Sequence, residues 1–288
     1  MTPSELGSPQ GTSTGNVVDH YGAQYGHFAD DAYAAVRREA FGEDIGQNGW
    51  TTAEEQDRFA AWLGVGPGAR VLDVACGAGG PARRLAQRTG CEVLGIDIHE
   101  QGIARARELA AQEGVADRAT FEPMDANRPL LLPDASFDAV VCIDAINHLP
   151  DRSRTLAEWA RVLKPGGHVL LTDPITVTGP LSNDEIAIRS SIAFFLFVPL
   201  GYDEQVLRDA GFALMVVEDR TENTATVASR WHVARAARAD VLRQFEGDET
   251  YDGQQTFFEV CARLARERRL SRVVYVAAKP GAVAAPSA

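Results

Sequence analysis

The sequence predicts an α/β fold built on a doubly wound, mostly parallel sheet, and three observations predict it. Arg70-Val71-Leu72-Asp73-Val74 is an apolar run that carries an acid into a glycine turn at Gly77, Gly79 and Gly80, with a helix from about Ala82. Three further strand-like runs, residues 91–97, 119–124 and 137–143, reach acids at or just past their ends: Asp97, Asp125 and Asp144. Leu163-Lys164-Pro165-Gly166-Gly167 then stops a helix and turns the chain into a fifth run, residues 168–172. Strands alternating with helical stretches are the signature of βαβ units.

The remaining elements follow in chain order. Residues 1–15 are mostly small and polar, have almost nothing to bury, and predict a disordered tail. Residues 16–67 read as helical, with one helix over residues 35–41 and another over 52–63. Thr52 followed by Glu55 predicts a capping box at the second. Gly64 to Gly68 breaks the chain before the first strand. The fifth strand is expected to end at Asp173-Pro174, and residues 175–202 then form an insertion with an apolar run at 192–200. That run is a buried helix or the wall of a substrate cap, and its place after the fifth strand favours the cap. A helix over 203–210, a strand over 213–218, a long helical region over 225–270 and a last strand over 272–278 complete the reading. Residues 281–288 are a second tail, and no internal repeat is visible.

The acids carry the chemical argument. Glycines without Cβ atoms let a ligand approach bare backbone, although tight strand–helix turns also use them for steric reasons alone. A carboxylate beside the turn, Asp73, repels a pyrophosphate and attracts a cation such as an amino group or a sulfonium. Asp97 lies about twenty residues after the turn, where a carboxylate can accept both hydroxyls of a ribose. Asp125 is suited to an adenine amino edge. In a doubly wound sheet ligands bind outside the carboxyl ends of the strands, and Asp73, Asp97, Asp125 and Asp144 are all expected there.

In combination these motifs resemble those of the class I S-adenosylmethionine-dependent methyltransferases, over residues 68–280: Asp73-Val74-Ala75-Cys76-Gly77-Ala78-Gly79, then Asp97, Asp125-Ala126 and Leu163-Lys164-Pro165-Gly166-Gly167. Ala75 stands where that family usually has glycine, which is tolerable if its φ stays negative. Gly79-Gly80-Pro81-Ala82 is similar to small-molecule methyltransferases of natural-product chemistry. Asp44-Ile45-Gly46-Gln47-Asn48-Gly49-Trp50-Thr51 resembles a segment of such enzymes, glycine-betaine-forming N-methyltransferases among them. The resemblance implies a seven-stranded Rossmann-like sheet with an N-terminal helical lid. It implies S-adenosylmethionine as donor and S-adenosylhomocysteine as product. The donor would meet Asp73, Ala75, Gly77, Gly79, Asp97, Ile98, Asp125, Ala126 and Asp144, with Gln47 on the donor or serving as a turn residue.

For the acceptor, residues 19–28 pack two histidines and two tyrosines into one segment. Tyr21 or Tyr25 lines the site, or both are inward-packed aromatics of a surface helix. His148, just after the fourth strand, is a base candidate or a structural hydrogen-bonder. His20 is the second base candidate and His232 the third. Tyr25, Trp50, Phe194, Phe197 and Trp231 are expected against the acceptor. That aromatic supply predicts a small aromatic or heteroaromatic, indole-like acceptor, methylated at ring carbon, nitrogen or oxygen. The alternatives are N-methylation of a small amine such as sarcosine or dimethylglycine, with Arg189 as the carboxylate partner, a nicotinamide-dependent dehydrogenase, and a non-catalytic donor-binding protein.

A formal charge of -12 argues against a nucleic-acid partner. Cys76, Cys91, Cys142 and Cys261 lack metal-ligand spacing and read as core thiols of a reducing compartment, and no metal is expected. No secretory signal is visible, and the longest apolar run is too short to span a bilayer. A soluble, cytoplasmic protein with a small-molecule acceptor is expected, with homo-oligomerisation left open.

Overall fold

The computed structural model describes residues 20–281; the tails expected at 1–15 and 281–288 lie outside the described residues, Gly281 excepted, as does the side chain of His20. Three helices come first: α1 (His20–Gly26), α2 (Asp31–Phe41) and α3 (Ala53–Leu63). The capping box of α3 is present: the Thr52 side chain accepts from the Glu55 backbone N–H, and the Glu55 carboxylate accepts from that of Thr52.

The alternating region then runs β1 (Arg70–Val74), α4 (Gly80–Thr89), β2 (Glu92–Asp97), α5 (Glu100–Gln112), β3 (Ala119–Pro123), β4 (Phe137–Cys142), a 3-10 turn (Ile146–His148), α6 (Arg152–Val162) and β5 (Leu163–Val177). Beyond it come α7 (Asn183–Arg189), β6 (Val198–Pro199), α8 (Tyr202–Asp209), β7 (Ala213–Asp219), α9 (Thr221–Ala236), α10 (Ala239–Glu246), α11 (Asp248–Arg266) and β8 (Leu270–Ala278).

The strand order is β3-β2-β1-β4-β5-β8-β7, the expected path of seven, and β6 pairs β5 beside it as an eighth strand. The first five strands of the path are mutually parallel, while β8 runs antiparallel to both β5 and β7. The order reverses between β1 and β4, and a crevice opens at such a switch point on the carboxyl ends of the strands.

Two expectations about elements are corrected, and one of two alternatives falls. Strand β5 begins within Leu163-Lys164-Pro165-Gly166-Gly167 and passes through Pro174. Pro174 cannot donate to the ladder, and the β5–β8 register shifts between Asp173 and Thr176 to accommodate it. The apolar run at 192–200 is not a helix; residues 192–197 are irregular and end in β6. The long helical region is three helices, which begin at Thr221 and yield to β8 at Leu270.

Apolar cores cover both faces of the sheet, one including Leu72, Val140 and Trp159, the other Val71, Phe121 and Leu170. A third core joins α2 to α9 and α11 through Tyr33, Phe41, Trp231 and Phe258. Trp231 stacks on Phe258 at 4.9 Å and meets Phe41 edge-on at 5.0 Å. Each buried ring of this kind contributes about 1.5–3 kcal/mol by leaving water, so α2 is fastened to the late helices. No helix among the described residues is long and apolar enough to cross a membrane.

Candidate active site

A cavity of about 350 Å³ opens at the carboxyl ends of β1 to β4, and Asp73, Asp97, Asp125 and Asp144 all line it. The turn after β1 shapes its floor. Cys76 N–H donates to the Ile96 carbonyl (3.0 Å), Gly79 N–H to that of Cys76 (2.9 Å), and Gly77 N–H to the Asp97 carboxylate (2.9 Å). Gly77 has φ +56° and presents bare backbone; a Cβ there would lie 2.8 Å from the Tyr25 hydroxyl. Ala75 also has positive φ, +58°. The expectation of a negative φ is therefore wrong: the turn forces the left-handed region on Ala75, where only glycine is unstrained. Gly79 is corrected too. It does not line the cavity, and its role is steric, since a Cβ would fall 2.5 Å from the Phe121 ring.

The four acids differ in what they can still bind. Asp73 is buried and makes no hydrogen bond among the described residues; burial, and then the neighbouring Asp97 charge, push its carboxyl up to about 8. Asp97 accepts from Gly77 N–H, from His99 N–H (2.8 Å) and from the His99 ring (3.0 Å). Asp125 is half-buried in the cavity wall, where it accepts from Asn127 N–H (2.9 Å) beside the Arg128 guanidinium (3.3 Å).

Asp144 departs from expectation. One of its oxygens takes Arg272 Nε and Thr172 Oγ1, each at 2.6 Å; the other takes Trp50 N–H (2.7 Å) and Thr51 Oγ1 (3.3 Å). A carboxylate has about four lone-pair sites, and these contacts fill them. Asp144 is thus a wall of the cavity that ties residues 50–51 to the sheet, not a ligand to a donor. Gln47 lines the cavity but serves as a turn residue, its amide bonded to Ile45 N–H and the Glu43 carbonyl. Ala75, Ala126 and Ile98 line the cavity as well, Ile98 at its exposed rim.

Helix α1 brings Tyr21 and Tyr25 to the cavity wall. The Tyr21 hydroxyl meets His148 Nε2 at 3.0 Å, and His148 Nδ1 meets the Phe194 carbonyl at 2.9 Å. A carbonyl only accepts, so Nδ1 carries the proton and Nε2 receives the tyrosine O–H. Burial lowers the histidine below its usual 6.5 and keeps it neutral. It also drives both Tyr21 and Tyr25 well above 10, so both hydroxyls stay protonated.

Tyr21 and His148 also face a second recess of about 40 Å³, which shares Asn48, Gly49, Asp144 and Ile192 with the main cavity. Its remaining walls include Trp50, Trp231, Phe195, Phe257 and Phe258. Tyr25 and Phe194 line the main cavity, whereas Trp50 and Trp231 reach only the recess. Phe197 is misassigned: it packs on Val260, Leu264 and Leu270, away from both spaces, because the irregular segment turns it toward α11. His232 lines neither. Sequence reasoning missed His99, Asn147 and the Phe257-Phe258 pair. Of these only His99, two residues past a strand-end acid, carried a positional signal.

The methyltransferase-domain family matches residues 71–167. The 27-O-demethylrifamycin SV methyltransferase of Amycolatopsis mediterranei is 36% identical over 206 residues, 67% of this chain and 75% of that protein. This chain belongs to the class I S-adenosylmethionine-dependent methyltransferases. The methyltransferase accordingly takes S-adenosylmethionine as its donor, and the dehydrogenase reading falls. A sterol 24-C-methyltransferase of Gibberella zeae is 36% identical over 156 residues, 48% of this methyltransferase, which spans only 41% of that relative. A solved structure from Galdieria sulphuraria, described as a candidate sarcosine dimethylglycine methyltransferase, shares the fold. Its TM-score is 0.71 at 24% identity, over 80% of this chain and 85% of that one.

Proposed function

We propose that this enzyme methylates a small ring-bearing acceptor at a nucleophile that gives up a proton, a hydroxyl or the N–H of an indole-like ring that reacts at nitrogen or carbon. The observation that carries this reading is the Tyr21–His148 pair at the junction of the main cavity and the aromatic recess.

The residues of the main cavity fit the donor. Asp73 is a buried carboxyl without a hydrogen-bond partner among the described residues, and a cationic amino group is the partner its chemistry lacks. Asp97 keeps acceptor capacity for a ribose hydroxyl beyond its three contacts, and Asp125 supplies an acceptor for the adenine amine. When bound, S-adenosylmethionine supplies a methyl group already activated by its sulfonium.

The chain then has to align the acceptor, exclude water and remove one proton. Alignment alone can be worth ~7–11 kcal/mol in the best cases. Tyr21 takes the acceptor's proton while passing its own to His148 Nε2, and the Nδ1–H stays on the Phe194 carbonyl. Burial holds the imidazole in the neutral form this transfer needs.

The name of the rifamycin relative places its reaction at an oxygen, which supports a natural-product hydroxyl as acceptor. N-methylation of a small amino acid is a second reading, favoured by one observation, the Arg189 guanidinium in the recess.

Labelled donor offered with phenols, indoles, hydroxylated natural products, sarcosine and dimethylglycine tests both. With the acceptor so found, His148→Ala should lower kcat about 10²–10⁴-fold and leave donor affinity unchanged. Full kcat in that variant would remove the base, and turnover confined to the aliphatic amino acids would install the second reading.

A further inference from the structure

Six arginines are deeply buried among the described residues, Arg37, Arg83, Arg152, Arg189, Arg235 and Arg272. Five are paired with carboxylates: Arg37 with Asp44, Arg83 with Glu113, Arg152 with Asp173 and Asp203, Arg235 with Glu246, and Arg272 with Glu55 and Asp144. Arg189 forms no ion pair among the described residues. Its guanidinium donates to Cys261 Sγ (2.7 Å) and lies over the rings of Phe195 (5.4 Å) and Phe257 (4.8 Å). Burial holds the Cys261 thiol up at about 11, so the sulfur is neutral and supplies no counter-charge. Ring faces offset only part of the cost of taking a guanidinium out of water.

Arg189 lines the recess beside His148, and another polar group there is unsatisfied. Among the described residues the buried Asn147 amide has no hydrogen-bond partner at either atom, while the Asn48 amide faces the Tyr25 hydroxyl. A positive fork and an idle amide in an aromatic recess of about 40 Å³ match a carboxylate in size, charge and hydrogen-bonding capacity.

We propose that Arg189 anchors a carboxylate carried by the methyl acceptor, which enters the recess while the nucleophile stays in the main cavity near Tyr21. This rests on the methyl-transfer reading and names the substrate class within it: an acid, whether its nucleophile is on a ring or is an amine.

The test uses the full chain saturated with S-adenosylhomocysteine and calorimetric titration of acid–amide pairs. These are 4-hydroxyphenylacetate, indole-3-acetate and N,N-dimethylglycine, each against its own amide. In at least one pair the acid should bind about ten- to a hundred-fold more tightly, and the preferred pair tells an aromatic acceptor from an aliphatic one. Arg189→Gln should abolish that preference without altering S-adenosylhomocysteine affinity, since Arg189 does not line the main cavity. Should that variant not fold, the wild-type pairs decide alone, because acid and amide differ in charge and little else. Absence of acid preference in every pair, or its survival in Arg189→Gln, overturns the proposal. Methyl transfer to a neutral phenol or indole with an unchanged KM in Arg189→Gln would remove the anchor yet leave the transfer reading standing. Acid preference with no transfer to any acceptor would do the reverse.

Discussion

Ala75 holds a left-handed backbone, φ +58°, at the point where β1 enters the turn under the main cavity. For an L-residue that conformation costs ~1–2 kcal/mol, and the surrounding hydrogen bonds enforce it. Branching at Cβ raises the cost. Ala75→Val should therefore lose about 1–2 kcal/mol and ~2–4 °C in Tm. Ala75→Gly should stay within ~1 kcal/mol, because relief of strain is offset by chain entropy and by the methyl that packs on the sheet core. Scanning calorimetry decides, and a wild-type Tm for the valine variant would mean that φ is not held positive. Asp73, Asp97 and Asp125 were legible in the sequence because strand-end position alone brings them to one rim. The Ala75 torsion was not, since it is set by the bonds from Cys76 to Ile96 and from Gly79 to Cys76. Asn147 was also illegible, as a lone amide has no motif.

Among the elements, the segment that leads into α3 is tied to the sheet by a buried network centred on one arginine. Arg272, on β8, holds Asp144 after β4, and Glu55 and Thr51 beside the α3 cap. Glu55 thereby both caps α3 and pairs with an arginine 217 residues away. Removing the cation would leave the buried Asp144 without a counter-charge and Glu55 with Arg220 alone, at 3.4 Å, so Arg272→Met should cost about 3–5 kcal/mol in urea denaturation. The same variant should weaken donor binding, since residues 47–51 border the main cavity. A loss below ~1 kcal/mol would show that the arginine is not what fastens them. The capping box was visible as Thr-x-x-Glu, but its distant partner was not, because ion pairs across the fold leave no local pattern. Nor was the break between α9 and α10 visible: α9 closes on Ala237, with neither glycine nor proline to mark it.

At the scale of the molecule, two buried carboxyls set how stability responds to pH. Asp73 titrates near 8 because it is buried beside Asp97, and Asp203 is raised because it is buried and lies beside the Asp173 charge, against the pull of Arg152. Both folded values lie above the ~4 of an unfolded carboxyl, so the native state holds extra protons in between. The stability they contribute is full below pH ~4 and is lost as pH rises through about 8. The free enzyme should therefore melt several degrees lower at pH 8.5 than at pH 5.5. A chain of formal charge -12 adds self-repulsion in the same direction. The donor's amino group separates the two effects, because it favours the ionised form of Asp73 alone. The rise in Tm produced by S-adenosylhomocysteine should grow between pH 6.5 and 8.5 in the wild type and stay level in Asp73→Asn. A ligand-induced rise that is the same at every pH in the wild type would mean that Asp73 does not meet that amino group, and that the crevice at the β1–β4 switch point holds the donor by its other acids.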